Sequence, residues 1–237
     1  GYALESMRAN PACYGGLFWM YEDCWGEIGW TVIDYGLRRK PSWYFVRRAF
    51  APLKLILRSA GEDRLRVVMA NDTRTPFDGE LEYGFISLDG TTQQLWRAPV
   101  QLAALSRADP LVFPRGEHDP TTGVWMARVT ARPDICPAIY RGVDIRQLKI
   151  PPARLTIQVE AVGEHIDQVT VSSPIFAHAV RLLLPAGSTP SDNYFDLLPG
   201  EKRDVMIFSE GKLDPSKISL RCYPQTSSNN AGYHPRT

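Results

Sequence analysis

The sequence predicts a mostly β protein: two antiparallel β-sandwiches in tandem, preceded by one helix–strand–helix unit. Three observations carry this. From residue 53 onward, short runs rich in β-branched and aromatic residues recur between Asn-Asp and Asp-Gly turn pairs. The pair Pro151-Pro152 divides that region in two. Apolar stripes at helical spacing mark the first fifty positions, and no 10-residue helical pattern interrupts the alternating runs beyond Pro152.

The first element is a helix over residues 2–9, with Ala3, Leu4 and Met7 on one stripe and Asn10-Pro11 as its stop. It has no capped start, so the chain reads as the tail of something longer. Residues 15–35 follow, packing Phe18, Trp19, Tyr21, Trp25, Trp30 and Tyr35 together with Glu22, Asp23, Glu27 and Asp34. An apolar strand that ends in a Glu-Asp pair resembles a buried wall meeting a polar mouth. Aromatic faces beside carboxylates suit a sugar, because a ring stacks on C–H groups while carboxylates accept hydroxyls. A core strand with a solvated end satisfies the same pattern. A turn over 35–42 then leads into a second helix, with Ser42 as N-cap and Trp43, Val46, Ala49 and Phe50 as its apolar stripe. Pro52 ends it.

Strands are expected over 54–57, 65–70, 80–88, 94–96 and 124–130. The apolar face changes sides near Gly84, which predicts a bulge. Residues 103–122 carry Pro110, Pro114 and Pro120 among charges and read as a surface loop. Beyond Pro152, clean alternation in Leu155, Ile157 and Val159, and again in Phe176, His178, Val180, Leu182 and Leu184, marks the second sandwich. Val205 and Ile207, then Ile218, Leu220 and Cys222, add strands to it. The expected organisation is therefore 1–52, 53–150, 151–224 and a flexible tail over 225–237.

Bulk properties exclude several partners. Across 237 residues, 27 Lys and Arg balance 26 Asp and Glu, a net charge of +1. No basic block exists to neutralise phosphates, so no nucleic-acid partner is expected. No apolar run approaches the roughly 18 residues of a membrane span, so no membrane partner is expected either. Cys13, Cys24, Cys136 and Cys222 follow no metal-site spacing and are expected as free thiols, with a single disulfide as the alternative. No metal or cofactor is implied.

Two long motifs resemble the C-terminal part of family 2 glycoside hydrolases, the β-mannosidase branch in particular. There, the last barrel strand typically reads Trp-Gln-Leu-Asn-Asp-Cys-Trp-Pro, followed by a Trp, an Ile-Asp-Tyr and a helix ending Arg-Arg-Ala-Phe-Ala-Pro. The matching positions here are Trp19, Asp23, Cys24, Trp25, Trp30, Ile33, Asp34 and Tyr35, then Lys40-Pro41 and Arg47 through Pro52. The second motif, Ser191-Asp192-Asn193-Tyr194-Phe195-Asp196 through Glu201, looks like the signature of the small immunoglobulin-like domain that closes these enzymes.

The resemblance implies that residues 1–52 are the last helix–strand–helix unit of an (α/β)₈ TIM barrel and that both sandwiches are immunoglobulin-like. Barrel active sites lie at the C-terminal ends of the strands. Trp19 would then form an aromatic wall of the subsite for the cleaved sugar, with Asp23, Glu22 and Trp25 at or beside the rim. The implied partners are a terminal β-linked sugar and a missing N-terminal catalytic part. Retaining enzymes need two carboxylates about 5–5.5 Å apart. The family's acid/base Glu follows an Asn, and this chain has no Asn-Glu pair. Its nucleophile lies in a Ser-Glu-Phe/Tyr-Gly context upstream of Gly1. No catalytic residue is therefore assigned in this chain, and it should not hydrolyse sugars alone. Glu82-Tyr83-Gly84 mimics the nucleophile triplet but falls in a sandwich strand, where Glu82 reads as a solvated position.

Departures from the family pattern are Met20-Tyr21-Glu22 for Gln-Leu-Asn and Gly26 for Pro. Met at the second position also occurs in the exo-β-glucosaminidase branch. A non-catalytic carbohydrate-binding or scaffolding sandwich module is the alternative from another class. Asn71-Asp72-Thr73 fits a glycosylation sequon, but a hairpin turn favours the same residues. In the 191–201 motif, Tyr and Phe are expected to pack while Asp192 and Asn193 hold the turn. His118, His165, His178 and His234 are scattered, with no nucleophile or carboxylate partner evident in sequence.

Overall fold

In the computed structural model, two helices lie within the first fifty residues and the remainder is strand and turn apart from two 3₁₀ segments. The structure describes residues 1–26 and 29–224, with the backbone of 232–233. Glu27, Ile28, His234 and the rest of the tail lie outside the described residues. No helix among those described is long and apolar enough to cross a membrane.

Helix α1 spans Tyr2–Ala9 and α2 spans Pro41–Ala49. Lys40, not Ser42, is the N-cap of α2, because Pro41 takes the first helical position, where its fixed φ suits and its missing N–H costs nothing. Tyr44 and Ala49 are its buried residues. Trp43 sits instead against guanidinium groups, with Arg39 4.1 Å and Arg47 5.9 Å from its ring centroid. Between the helices the chain makes two isolated bridges, Glu22 with Ile33 and Ile33 with Arg39, in place of a ladder. A parallel strand takes its hydrogen bonds from neighbouring strands, and residues 17–20 have none among the described residues.

The chain divides into two compact units, residues 1–85 with 94–145, and 86–93 with 146–237. The first unit is built on strands β1 (Leu53–Ser59), β2 (Arg64–Asn71), β3 (Phe77–Ser87), β4 (Gln93–Leu102), β5 (Ser106–Pro114), β6 (Gly123–Val129) and β7 (Ala138–Tyr140). One sheet runs β1-β2-β5 and the other β4-β3-β6-β7. Leu55, Leu65, Val67, Leu81, Phe85, Phe113 and Trp125 form the core. Strand β5 lies where a surface loop is expected. Its prolines hide it in sequence, yet Pro110 falls at a register shift, where Asp109 and Pro110 together oppose Val68. An edge strand tolerates proline at such a bulge.

Helix α1 lies on the other face of the first sheet. Ala9 packs with Ile56 and Val68. The burial of those two branched side chains is worth about 1.5–3 kcal/mol each. Polar contacts fix the same helix: Lys54 pairs with Glu5 at 2.7 Å, and Arg8 donates to the carbonyls of Ala49 and Ala51 at 2.5 and 2.9 Å and pairs with Asp72 at 2.7 Å. Arg107 returns the contact, donating to the carbonyls of Arg8 and Asn10 at 2.7 and 2.8 Å. Residues 1–52 thus meet the first sandwich through the ion pairs Glu5–Lys54 and Arg8–Asp72 and through Arg107, which reaches backbone acceptors of α1 and its end.

The second unit carries β8 (Thr156–Gly163), β9 (Ile166–Ser172), β10 (Ala177–Leu183), β11 (Ser188–Pro190), β12 (Phe195–Leu197), β13 (Lys202–Ser209), β14 (Ser219–Tyr223) and β15 (Gly232–Tyr233). Its sheets are β11-β13-β9-β8-β15 and β12-β10-β14. Val169, Val171, Val180, Phe195, Leu197, Val205, Ile207 and Leu220 fill the space between them. Residues 86–93, the turn joining β3 to β4, belong to this unit, and the Phe176 N–H donates to the Leu88 carbonyl at 2.7 Å.

Candidate functional site

The segment from residue 14 to 40 has few buried side chains of its own. Thr31 and Val32 are buried, and so is Asp23. The aromatic residues face solvent: Trp19 is 80% exposed, and Tyr14, Tyr21, Trp25, Trp30 and Tyr35 are also exposed. The Trp19–Met20 peptide is cis. Backbone bonds fold the stretch back on itself. The Asp23 N–H donates to the Ile33 carbonyl at 3.1 Å, the Ile33 N–H to the Tyr21 carbonyl at 3.0 Å, and the Lys40 N–H to the Val32 carbonyl at 2.9 Å. Asp34 closes the turn before α2, accepting from the Arg38 N–H at 2.9 Å and Arg38 Nε at 2.8 Å.

The four residues read from sequence as sugar-facing occupy different environments. Trp19, Glu22 and Trp25 are exposed. Asp23 turns inward: its side chain is 3% exposed and its Oδ2 lies 2.7 Å from Lys40 Nζ. The same ammonium donates to Thr31 Oγ1 at 2.5 Å and to the Gly29 carbonyl at 3.4 Å. The Lys40 and Thr31 hydrogen bonds hold the Asp23 carboxyl below the usual carboxylate range. Lys40 stands in sequence only as part of a matching motif and Thr31 not at all; that Lys40 meets Asp23, 17 positions away, is visible only in the fold.

Glu82 is not solvated. Its Oε1 accepts from Arg97 Nε and Nη2 at 3.1 and 2.9 Å, and its Oε2 accepts from Arg128 Nε at 2.8 Å and from Arg128 Nη2. Burial pushes its pKa up, but hydrogen bonds and charge from the two arginines outweigh that and leave it below 4.5. A carboxylate clamped on both oxygens joins three neighbouring strands and has no lone pair facing a substrate. Trp125 is buried, with its indole N–H donating to the Arg115 carbonyl at 2.9 Å. Trp96, about a third exposed, leans on Tyr83 with ring centroids 6.0 Å apart.

A cleft of about 500 Å³ opens beside α1, lined by Met7, Arg8, Cys13, Phe50, Leu105 and Arg107 among others. It reaches Gly15 and Gly16 but not Trp19. No group of three or more His, Cys, Asp or Glu among the described residues could hold a metal. Asn71, in the sequon, is fully buried; its Nδ2 donates to the carbonyls of Thr75 and Ala103 at 2.9 and 3.0 Å, and its Oδ1 accepts from Thr73. It organises a turn.

In the 191–201 motif, Phe195 is buried and Tyr194 lies half-buried under Arg181. Asp192 pairs with Arg203 at 3.0 Å, and Asp196 Oδ1 lies 2.7 Å from His178 Nδ1 while accepting from the Ala179 N–H at 2.9 Å. Glu201 accepts from the Leu198 N–H at 2.8 Å. Every acidic residue of the motif serves the local backbone or a neighbouring cation or imidazole.

The profile of an Ig-fold domain of mannosidases matches residues 150–222. The β-D-mannosidase of Dictyoglomus thermophilum superimposes with a TM-score of 0.86 at 25% identity, covering 99% of this chain and 28% of that one. Over most of its length the chain is similar to a part of the β-mannosidases. β-Mannosidase B of Aspergillus terreus is 24% identical over 220 residues, and that of Neosartorya fischeri 29% over 220. Each alignment covers 82% of this chain and 25% of the relative, so the chain spans about a quarter of the curated relatives' length. The exo-chitosanase of Amycolatopsis orientalis shares the fold, with a TM-score of 0.69 at 19% identity over 92% of this chain and 31% of that one.

Proposed function

We propose that this chain supplies one wall of the sugar-holding subsite of a retaining exo-β-glycosidase that removes terminal β-mannosides. Trp19 is assigned as the wall: it presents a broad apolar face, four-fifths exposed, and it matches the first Trp of the motif that the family carries on its last barrel strand. It would stack on the C–H face of the terminal sugar, worth about 0.5–1.5 kcal/mol beyond area burial for well-packed ring contacts. Glu22 and Trp25 stand close in sequence and exposed, and are assigned to the rim. The acid/base and nucleophile Glu come from the rest of the parent enzyme, and the two sandwiches act as its accessory domains. No cofactor enters this reading.

A second specificity has one observation in its favour. Glu22 places an exposed carboxylate where β-mannosidases typically carry Asn. A carboxylate accepts but cannot donate when ionised, so it favours an ammonium over a hydroxyl. That suits a terminal β-glucosaminide.

The test uses the enzyme encoded by the full reading frame around this sequence, assayed on aryl β-mannoside and aryl β-glucosaminide. Trp19→Ala is expected to lower kcat/KM about 10–100-fold, the range of one lost transition-state contact. Unchanged kinetics would remove Trp19 from the subsite. Turnover by the 237-residue chain alone would refute the assignment of both carboxylates elsewhere.

A further inference from the structure

We infer that Lys40 is a positioning residue for the aromatic wall, acting through Asp23, and this rests on the proposed role of Trp19. The segment that presents Trp19, Trp25 and Trp30 has almost no apolar core: Val32 is its only fully buried apolar side chain among the described residues from 14 to 40. In place of a core it has a partly buried polar knot. Lys40 Nζ spends its donors on three points of the same segment, Asp23 Oδ2 at 2.7 Å, Thr31 Oγ1 at 2.5 Å and the Gly29 carbonyl at 3.4 Å. Its own N–H donates to the Val32 carbonyl, and it is the N-cap of α2. One residue therefore joins the helix start to positions 23, 29, 31 and 32.

The fit around the knot is close. A Cβ at Gly29 would stand 2.7 Å from Asp23 Oδ1. Asp23 is held from the backbone as well, its N–H donating to the Ile33 carbonyl at 3.1 Å. The Asp23 N–H and the Tyr21 carbonyl both pair with residues 32–33, so fixing Asp23 fixes the chain immediately after Trp19 and Met20. For this partly buried pair the inferred role is to choose one arrangement of the segment over others, more than to add net stability. Without the ammonium, a carboxylate that is 3% exposed loses its counter-charge, and the segment opens to hydrate it.

The experiment has two arms. In the 237-residue chain, hydrogen exchange is followed at the amides of Asp23, Val32, Ile33 and Lys40. Lys40→Met is expected to cost them at least tenfold in protection, with Lys40→Arg restoring most of it. Protection unchanged in Lys40→Met overturns the inference whatever the sugar arm shows. In the full-frame enzyme, Lys40→Met should lower kcat/KM as Trp19→Ala does, and the double variant should lose no more than the worse single one. Losses that multiply would overturn the coupling. Should Trp19→Ala alone be silent, the wall assignment fails, and the exchange arm still decides whether Lys40 holds the segment. Asp23→Asn combined with Lys40→Met guards against a chain that fails to fold because one charge is stranded.

Discussion

Asn193 holds both backbone polar groups of Leu182: its Oδ1 accepts from the Leu182 N–H at 2.8 Å and its Nδ2 donates to the Leu182 carbonyl at 3.0 Å. The amide thus takes the place of a neighbouring strand, at a point where the chain turns through Tyr194 with φ +54°. The Tyr194 N–H donates to the same Oδ1 at 3.0 Å. Only a side chain with one donor and one acceptor in this spacing can complete the pattern. Asn193→Asp keeps the shape but loses the donor and places an ionised oxygen beside a carbonyl.

Asn193→Asp and Asn193→Ala are therefore each expected to destabilise the second unit by about 2–4 kcal/mol, the cost of stranding buried backbone groups. Urea unfolding at neutral pH measures it. A loss below about 0.5 kcal/mol, typical of surface substitutions, would show that water replaces the amide there.

The Arg97–Glu82–Arg128 cluster predicts both a magnitude and a pH dependence. Glu82→Gln removes the carboxylate that both guanidinium groups share and leaves Arg97 only the longer pair with Glu80 at 3.9 Å. Because both are partly exposed, the cost should fall near 2–3 kcal/mol, below the 3–5 of a fully buried broken pair. Glu82 has a folded pKa lowered from 4.5. Its contribution is thus complete above the unfolded value and is lost as pH falls through the folded one. Stability against urea should drop below about pH 4.5 in the parent chain and drop less in Glu82→Gln. Parallel pH profiles would exclude Glu82 as a source of the acid limb.

Much of this architecture is legible in sequence, and the failures share a cause. Strands β1, β2, β6, β8, β13 and β14 announce themselves because one face is buried and the residues alternate or run apolar accordingly. Strand β5 does not, because Pro110 and its charged neighbours look like a loop until the bulge opposite Val68 is known. Trp19 stands out by residue type. Lys40 does not, because a lysine before a proline reads as a solvated turn, and only the fold brings Asp23, Gly29 and Thr31 around it. Glu82 reads as solvated for the same reason: alternation says which face a residue takes, not that two arginines wait there.

Asn71 is expected to behave as a structural residue although it begins a sequon. Its amide makes two donated bonds and its oxygen accepts from both the N–H and the hydroxyl of Thr73. Asn71→Ala should cost about 2–4 kcal/mol through the stranded carbonyls and N–H. A fully folded chain offered to an oligosaccharide-transferring enzyme should gain no mass at this position. A glycan added to the folded protein would show that the turn opens.

Glycines at positive φ separate backbone strain from steric exclusion. Gly84 has φ +142°, and a Cβ there would fall 2.0 Å from the Gln94 carbonyl oxygen on the adjoining strand. Gly61 has φ +106°, with nothing within 4 Å of its would-be Cβ. Both lie in the first unit. Gly61→Ala meets only the conformational penalty, about 1–2 kcal/mol. Gly84→Ala adds a collision with backbone, which cannot rotate aside, so β4 must separate from β3 or the variant must unfold. The expected loss exceeds about 4 kcal/mol, in the range reserved for severe core defects. Thermal unfolding of the two variants side by side decides it: equal midpoints would mean that β4 yields, and that the glycine is needed for its φ alone.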